Sequence, residues 1–536
     1  MTTTDAPAPP LGRDTLVAVG AMATAVFAIA VDFTAPTVAL AEIEGDLDAD
    51  LSTVQWVLSG YSLVLAVLIV VAGRLADLHG RRRLFMIGAG VFAAASVVAA
   101  LAPGVEVLLA ARAATAVGSA VMWPACLGLT FGALPAARRV MAGGLIIGII
   151  GVGNALGPLI GGALTEAASW RWVFAVNVPL VLLAMALTWR FVHQPFERDP
   201  KARLDSAGVV ALAVGLVSLL LALDVTADGD LLRPISLGLL AVSVVAILAF
   251  VAIERRSGEA ALVPRDVMAN RQFRATCLAG IFMSIPLFSV MLFLPQYFSK
   301  VQGYSAFEVG LALMPLLGSF ALVSFVAAAK GERWDIWLLA SIGAACQFVG
   351  ILVLSFLDVD DDFFDSLGGM VVLGVGIGLF NSAATTSAVT SLDHSRASLG
   401  GAVLYMFQVA GGAVGLALTT AVFALVSHQS VNSDVERLGG SPTQQELRDL
   451  QGVLAGTDSA QEVQLELPAD AAVVTDVASD AFEEGLQWAF RLDALLVLAG
   501  VAVTATMVGG LRREVRPAAF ASDAWSETRL EGQPEV

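Results

Sequence analysis

The chain has 536 residues, 57% of them hydrophobic and only 14% charged, with 47 acidic against 30 basic side chains and a net charge of −17. A soluble protein of this length needs far more charge to cover its surface, so the composition excludes a water-soluble enzyme or nucleic-acid-binding protein. It indicates an all-α polytopic membrane protein embedded in the lipid bilayer.

Residues 1–13 hold a single arginine, and the first apolar run is too long for a signal core, so no cleavable signal is expected. Hydropathy predicts fourteen spans, near 15–41, 53–75, 84–102, 107–133, 140–165, 172–192, 206–224, 234–253, 275–298, 308–329, 334–356, 366–390, 399–427 and 488–511. Connections are short except for the polar, acidic stretch 428–487, whose "SPTQQELRDLQGVL" portion could form a short capped helix or lid. With a cytoplasmic N-terminus this count puts 23 of the 30 basic residues inside, as positive-inside bias requires; a missed span would reverse every later loop. Both termini are therefore expected in the cytoplasm, with the acidic excess outside. Runs such as Asp358 and Asp360–Asp362 read as solvated caps. Cys126, Cys277 and Cys346 lie in apolar runs at wide spacing, which suits buried thiols better than disulfides or zinc.

Between the second and third spans stands "GRLADLHGRRR", residues 73–83. An orientation anchor explains its arginines but not its Gly-x-x-x-Asp-x-x-Gly spacing. Gly73 permits close approach of another helix, Asp77 falls one turn later on the same face, and Gly80 suits a left-handed turn. Gly73, Asp77, Gly80, Arg81 and Arg82 resemble the loop 2–3 signature of the major facilitator superfamily. That resemblance implies a brace on the cytoplasmic side between two six-helix bundles. In the fifth span "GVGNALGPLIGG" carries Gly153, Gly157, Pro158, Gly161 and Gly162, similar to the family's antiporter motif. "RAATAVGSA" in the fourth, "DFTAPTVALA" in the first and "WRWVFAVNVP" at 170–179 resemble further family motifs. In the fourth, Thr115 and Ala116 replace the usual Gln-Gly.

Fourteen spans resemble the drug:proton antiporter-2 branch, in which two additional central helices, here 206–224 and 234–253, join two six-helix bundles. The implied division is a tail 1–14, a bundle 15–192, a linker 193–253, a bundle 254–511 containing the external loop 428–487, and a tail 512–536.

Ionisable residues inside spans are costly and mark function. Asp32 is about 13 Å and Arg112 about 8 Å from the outer ends of their helices at 1.5 Å per residue. The family fold puts these helices side by side. Burial favours a neutral carboxyl and an adjacent guanidinium a charged one, so a cavity that opens and closes can toggle protonation; a static ion pair is the structural alternative. Asp493 and Arg491, at the start of the last span, read as a helix-end cap or local pair.

Polar or aromatic residues within apolar helices are the expected substrate cavity: Trp56, Tyr61, Trp123, Asn154, Gln296, Asn381, Tyr405 and Gln408. Trp170, Trp172, Trp189, Trp334, Trp337 and Trp488 are expected in membrane-interface belts. No cofactor, metal, catalytic group or phosphate-binding loop is expected. The resemblance implies a monomeric plasma-membrane exporter of lipophilic drugs or antibiotics, cationic ones included, driven by protons. A dedicated exporter of an endogenous lipid, siderophore or metabolite, and a non-transporting receptor or scaffold, stay open as alternatives.

Overall fold

The structure, a computed structural model, describes residues 12–49, 51–54, 56–134, 139–192, 205–227, 234–257, 261, 265–330, 336–358, 361–392, 397–437 and 471–511. No strand occurs among them. A chain this apolar must satisfy its backbone hydrogen bonds within each segment, and helices do so without edges. The N-terminal half contains α1 (Arg13–Thr34), α2 (Trp56–His79), α3 (Arg81–Ala100), α4 (Val105–Ala133), α5 (Arg139–Ala167) and α6 (Asn177–Phe191). Two further helices follow, α7 (Ser206–Ala227) and α8 (Pro234–Ser257). The C-terminal half contains α9 (Arg271–Gln296), α10 (Met314–Lys330), α11 (Ile336–Leu354), α12 (Phe363–Thr390), α13 (Ala397–Arg437) and α14 (Ala471–Leu511).

Each of the fourteen expected spans falls on a helix. By length and hydropathy eleven helices among the described residues can cross a bilayer. Counted as one span, the pair Ala306–Ala312 and Met314–Ala327, bent by 42°, makes a twelfth. The apolar stretches of α2 and α7 are shorter, Trp56–Ile69 and Ser206–Leu219.

Local signals set the ends. Gly80 separates α2 from α3 at φ 93°, the left-handed conformation that glycine alone adopts cheaply. Asn270 caps α9 by accepting from the Phe273 N–H. Ser305 with Glu308, and Asp362 with Asp365, form reciprocal capping boxes that start the bent pair and α12.

The last span corrects the sequence reading. It runs Ser479–Ala505 rather than 488–511, within a helix that begins at Ala471. Asp480, Glu483 and Glu484 depress the hydropathy there, yet Ala481, Phe482, Leu486, Ala489 and Phe490 on the same helix are buried. The helix α13 likewise continues to Arg437, so both described edges of the supposed 428–487 loop are helical. The segment "SPTQQELRDLQGVL", the tails 1–11 and 512–536, and Trp334 lie outside the described residues.

Small residues let helices approach. A Cβ on Gly118 would come within 2.6 Å of the Phe92 backbone nitrogen, which ties α4 to α3. The helix α7 packs against α8, α13 and α2. Ser243 of α8 donates to the Gly215 carbonyl of α7 at 2.8 Å. The opposite face of α8 turns outward, with Val242, Val244, Val245 and Leu248 exposed, as a lipid-facing helix requires.

The two halves touch at both ends of their interface. At the end nearer the Gly80 turn, a Cβ on Gly73 of α2 would lie 3.9 Å from Ala402 Cβ of α13. At the opposite end, a Cβ on Gly310 would lie 2.7 Å from the Pro158 carbonyl oxygen of α5, and one on Gly151 would lie 2.9 Å from Ala321 Cα of α10.

Candidate functional site

At the centre of the N-terminal half, Arg112 Nη1 donates to Asp32 Oδ2 at 2.8 Å, joining α4 to α1. The two side chains are 1% and 0% exposed. Removing a carboxylate and a guanidinium from water costs several kcal/mol per ion, so such a pair persists only where further polar groups complete it. They do. Asn177, at the first position of α6, donates its Nδ2–H to Asp32 Oδ1 at 2.8 Å. Arg112 Nε donates to the Val57 carbonyl at 3.2 Å and Nη2 to the Asp32 carbonyl at 3.4 Å. The guanidinium carbon lies 4.3 Å from the Tyr61 ring centroid and 5.4 Å from that of Phe174, within range of cation–π attraction. Tyr61 in turn donates its hydroxyl to Ser119 Oγ at 2.7 Å. Residues of four helices, α1, α2, α4 and α6, thus converge on one ion pair.

The contact between Asp32 and Arg112 is the one expected from sequence. Asn177 carries one signal in the sequence, an amide within the apolar run of "WRWVFAVNVP", and nothing there ties it to Asp32. Tyr61, placed by sequence on a cavity wall, is instead packed on the guanidinium.

The antiporter-type glycines of α5 make room for α1. A Cβ on Gly153 would come within 2.6 Å of Ala30 Cβ; one on Gly157 would strike Thr34 Oγ1, and one on Gly161 the Ala35 carbonyl. Thr34 Oγ1 lies 3.3 Å from the Asn154 carbonyl, across the same seam. Gly162 faces the other half, where a Cβ would strike the Ala306 carbonyl. Pro158 lies within α5, and its carbonyl meets Gly310.

The members of the turn motif divide. Gly73 reaches the other half at α13, but the described bond of Arg82 is to the Trp189 carbonyl of α6 at 2.6 Å, within its own half. Arg81 donates to the Gly128 carbonyl of α4 at 3.3 Å. Asp77 belongs to α2, and its side chain lies outside the described residues.

The expected cavity residues gather into two pairs and several singletons. Trp123 of α4 stacks on Tyr405 of α13, with centroids 4.5 Å apart and planes at 19°, across the two halves. Gln408 Nε2 donates to Asn381 Oδ1 at 2.7 Å, joining α13 to α12. Gln296 is buried at the end of α9, Asn154 is buried in α5, and Trp56 is half-buried at the start of α2. A narrow cleft beside α11 is lined by Thr276, Trp337, Phe380, Ser387 and Thr504, and by none of these eight.

Trp170 is fully buried and donates its Nε1–H to Asp46 Oδ2 at 3.0 Å, beside the start of the span at Arg171; Trp172, Trp189 and Trp488 are exposed. One sequence expectation is overturned. Asp493 is no helix-end cap, since α14 starts at Ala471 and the carboxyl is fully buried against Thr419. Arg491 turns elsewhere, donating to Gln487 Oε1 at 2.9 Å.

Comparison with known proteins agrees with this architecture. The family model described as Major Facilitator Superfamily matches residues 21–416. The cephamycin export protein CmcT of Amycolatopsis lactamdurans is 33% identical over 74% of this chain and 83% of its own length. The multidrug efflux pump LfrA of Mycolicibacterium smegmatis is 31% identical over 91% of this chain and 95% of its own. The multidrug transporter protein MdtP of Bacillus subtilis is 29% identical over 74% and 73%. Among solved structures, a bacterial homolog of the human lysosomal transporter Spinster, in an inward-facing and unoccupied conformation, superposes with a TM-score of 0.62 at 15% identity, covering 93% of this chain and 99% of that one. The family model spans well over half of the chain, and the likeness of fold covers 93% of it: this protein belongs to the Major Facilitator Superfamily.

Proposed function

We propose that the protein is a secondary active exporter that moves lipophilic drugs or antibiotics, cationic ones included, out across the plasma membrane in exchange for protons. All fourteen helices cross the bilayer in this reading, both termini are cytoplasmic, and the transporter works as a monomer. The observation that carries it is the buried Asp32–Arg112 pair, completed by Asn177. The names of the relatives, exporters of cephamycin and of multiple drugs, support the cargo class.

Alternating access needs an interface whose ends open in turn. The Gly73–Ala402 approach closes one end and the Pro158–Gly310 approach the other. Opening either side admits water towards α1 and α4. Protonation of Asp32 would then discharge one half of the ion pair and free the Arg112 donors, so proton and cargo occupancy exclude each other through the same helices. The stacked Trp123 and Tyr405 rings span the two halves, where a planar apolar cargo would separate them.

The test is efflux of the dye ethidium from loaded proteoliposomes under an imposed pH gradient. The wild type should export dye with counter-movement of protons, and Asp32→Asn should insert normally but lose gradient-driven export. Wild-type efflux by that variant would remove Asp32 from the mechanism.

A further inference from the structure

The C-terminal half holds a second buried acid that the Asp32 mechanism does not use. Asp493 of α14, Thr419 of α13 and Ser289 of α9 are each fully buried, and their oxygens converge. Thr419 Oγ1 lies 2.6 Å from Asp493 Oδ1 and 2.8 Å from the Gly415 carbonyl, while Ser289 Oγ donates to Thr419 Oγ1 at 3.4 Å. Asp493 Oδ2 is buried with no hydrogen-bond partner.

The bare Oδ2 decides the state of the acid. The Thr419 hydroxyl has one hydrogen, which serves either Asp493 Oδ1 or the Gly415 carbonyl, and that carbonyl already accepts a backbone N–H of its own helix. With the proton on Asp493 Oδ1 every contact is satisfied: Asp493 donates to Thr419, Ser289 donates to Thr419, and Thr419 passes its own hydrogen to Gly415. The partnerless Oδ2 is then a neutral carbonyl oxygen. An ionised carboxylate would instead leave a charged oxygen bare in a dry interior, at several kcal/mol.

Among the described side chains no cation offsets a charge here. Those that are charged or titratable on the packed helices are Arg271, Arg274 and Cys277 on α9, Cys346 on α11, Tyr405 on α13, and Asp480, Glu483, Glu484 and Arg491 on α14; the side chains of His428, Asp434, Glu436, Arg437 and Asp476 lie outside the description. The hydroxyl of Thr419 is the described hydrogen-bond partner of the Asp493 carboxyl, with Ser289 behind it. One turn towards Glu483, Phe293 meets Phe423 and Phe490 at 4.9 and 6.5 Å, and Phe423 meets Phe482 at 5.1 Å, so an aromatic plug separates the acid from that helix end.

We infer that Asp493, Thr419 and Ser289 form a second proton-binding site, loaded in this conformation and discharged when the halves move. The connection to the first site is direct. Phe33, next to Asp32, meets Phe288, next to Ser289, edge to face at 5.4 Å. Any motion that breaks this contact displaces α1 relative to α9. On hydration the Oδ1–H proton passes to water, leaving the carboxylate, and the Thr419 hydroxyl turns its hydrogen from Gly415 to Asp493. Four oxygens from two hydroxyls and one carboxyl suit a proton better than a metal cation, which takes a larger oxygen shell.

The link to transport rests on proton-coupled export, but the protonation state does not, and infrared spectroscopy reads it directly. Full-length protein in proteoliposomes, with choline as the monovalent cation, should show a protonated-carboxyl carbonyl absorption at neutral pH. It should vanish in Asp493→Asn, shift in Thr419→Val, persist in Asp32→Asn, and be unchanged when sodium replaces choline. With ethidium as cargo, Asp493→Asn should move about half as many protons per dye as the wild type, as expected on losing one of two sites. Three results would overturn the inference: no absorption sensitive to Asp493 or Thr419, removal of the absorption by sodium, or an unchanged proton count in Asp493→Asn. If Asp493→Asn does not fold, the Thr419→Val shift decides. Loss of dye export in Asp32→Asn bears on the first site only.

Discussion

Asn177 Nδ2 and Arg112 Nη1 approach Asp32 from two other helices and take one carboxylate oxygen each, both at 2.8 Å. The carboxylate is thus held on both oxygens by groups far apart in sequence. Replacing Asn177 with alanine leaves Oδ1 buried and bare, at about 1–3 kcal/mol. Gradient-driven dye efflux by Asn177→Ala is expected to fall roughly tenfold, the equivalent of about 1.4 kcal/mol. Vesicle efflux at matched protein density checks it; an unchanged rate would make Asn177 a spectator.

Arg112→Lys tests shape against charge. The guanidinium reaches Asp32 Oδ2, the Asp32 carbonyl and the Val57 carbonyl at once while lying on Tyr61. An ammonium keeps the charge but cannot make this fork. Transport should drop at least tenfold by the same efflux assay, with the protein still inserted; full activity would mean that charge alone suffices.

The seam between α5 and α1 can be probed by volume. Gly157→Ala drives a methyl into Thr34 Oγ1, whereas Gly238→Ala on α8 meets nothing within 4 Å. The first should cost about 1–3 kcal/mol and lower the melting temperature in detergent; the second should leave it unchanged or raise it slightly. Equal melting of Gly157→Ala and wild type would show that the seam is loose.

The Trp123–Tyr405 stack joins the two halves. A double-mutant cycle with alanine at each position should give a coupling of about 0.5–1.5 kcal/mol in thermal stability. A coupling of zero would mean that the rings merely touch.

One pH effect lies outside the membrane-spanning segments. Arg171 Nη1 and Trp170 Nε1 both donate to Asp46 Oδ2, at 2.6 and 3.0 Å, and hold its carboxyl below the ordinary carboxylate range. A depressed acid stabilises the fold above its unfolded-state pKa and loses that contribution as pH falls through the folded-state value, here below about pH 4. Asp46→Asn should therefore lower the melting temperature at pH 7 and make little difference at pH 3. The pair is exposed, so the effect should be small and weakened by salt.

Composition and hydropathy alone determined that this chain fills a membrane with helices, because apolar runs of about 20 residues have no other way to satisfy their backbones in lipid. The pairing of Asp32 with Arg112 was legible too, since two charges inside spans demand each other. What only tertiary structure decided were groups whose meaning depends on neighbours. Asn177 reads as one amide among several until α6 is laid beside α1. Asp493 reads as a helix-end cap because Asp480, Glu483 and Glu484 mask the earlier start of its span, and only the packing of α9, α13 and α14 buries it. Tyr61 and Trp170 likewise reveal by their partners, a guanidinium and a carboxylate, that they face the interior. Hydropathy records how each segment partitions along the membrane normal; it carries no information on which face of a helix meets which partner, and that is where the chemistry is set.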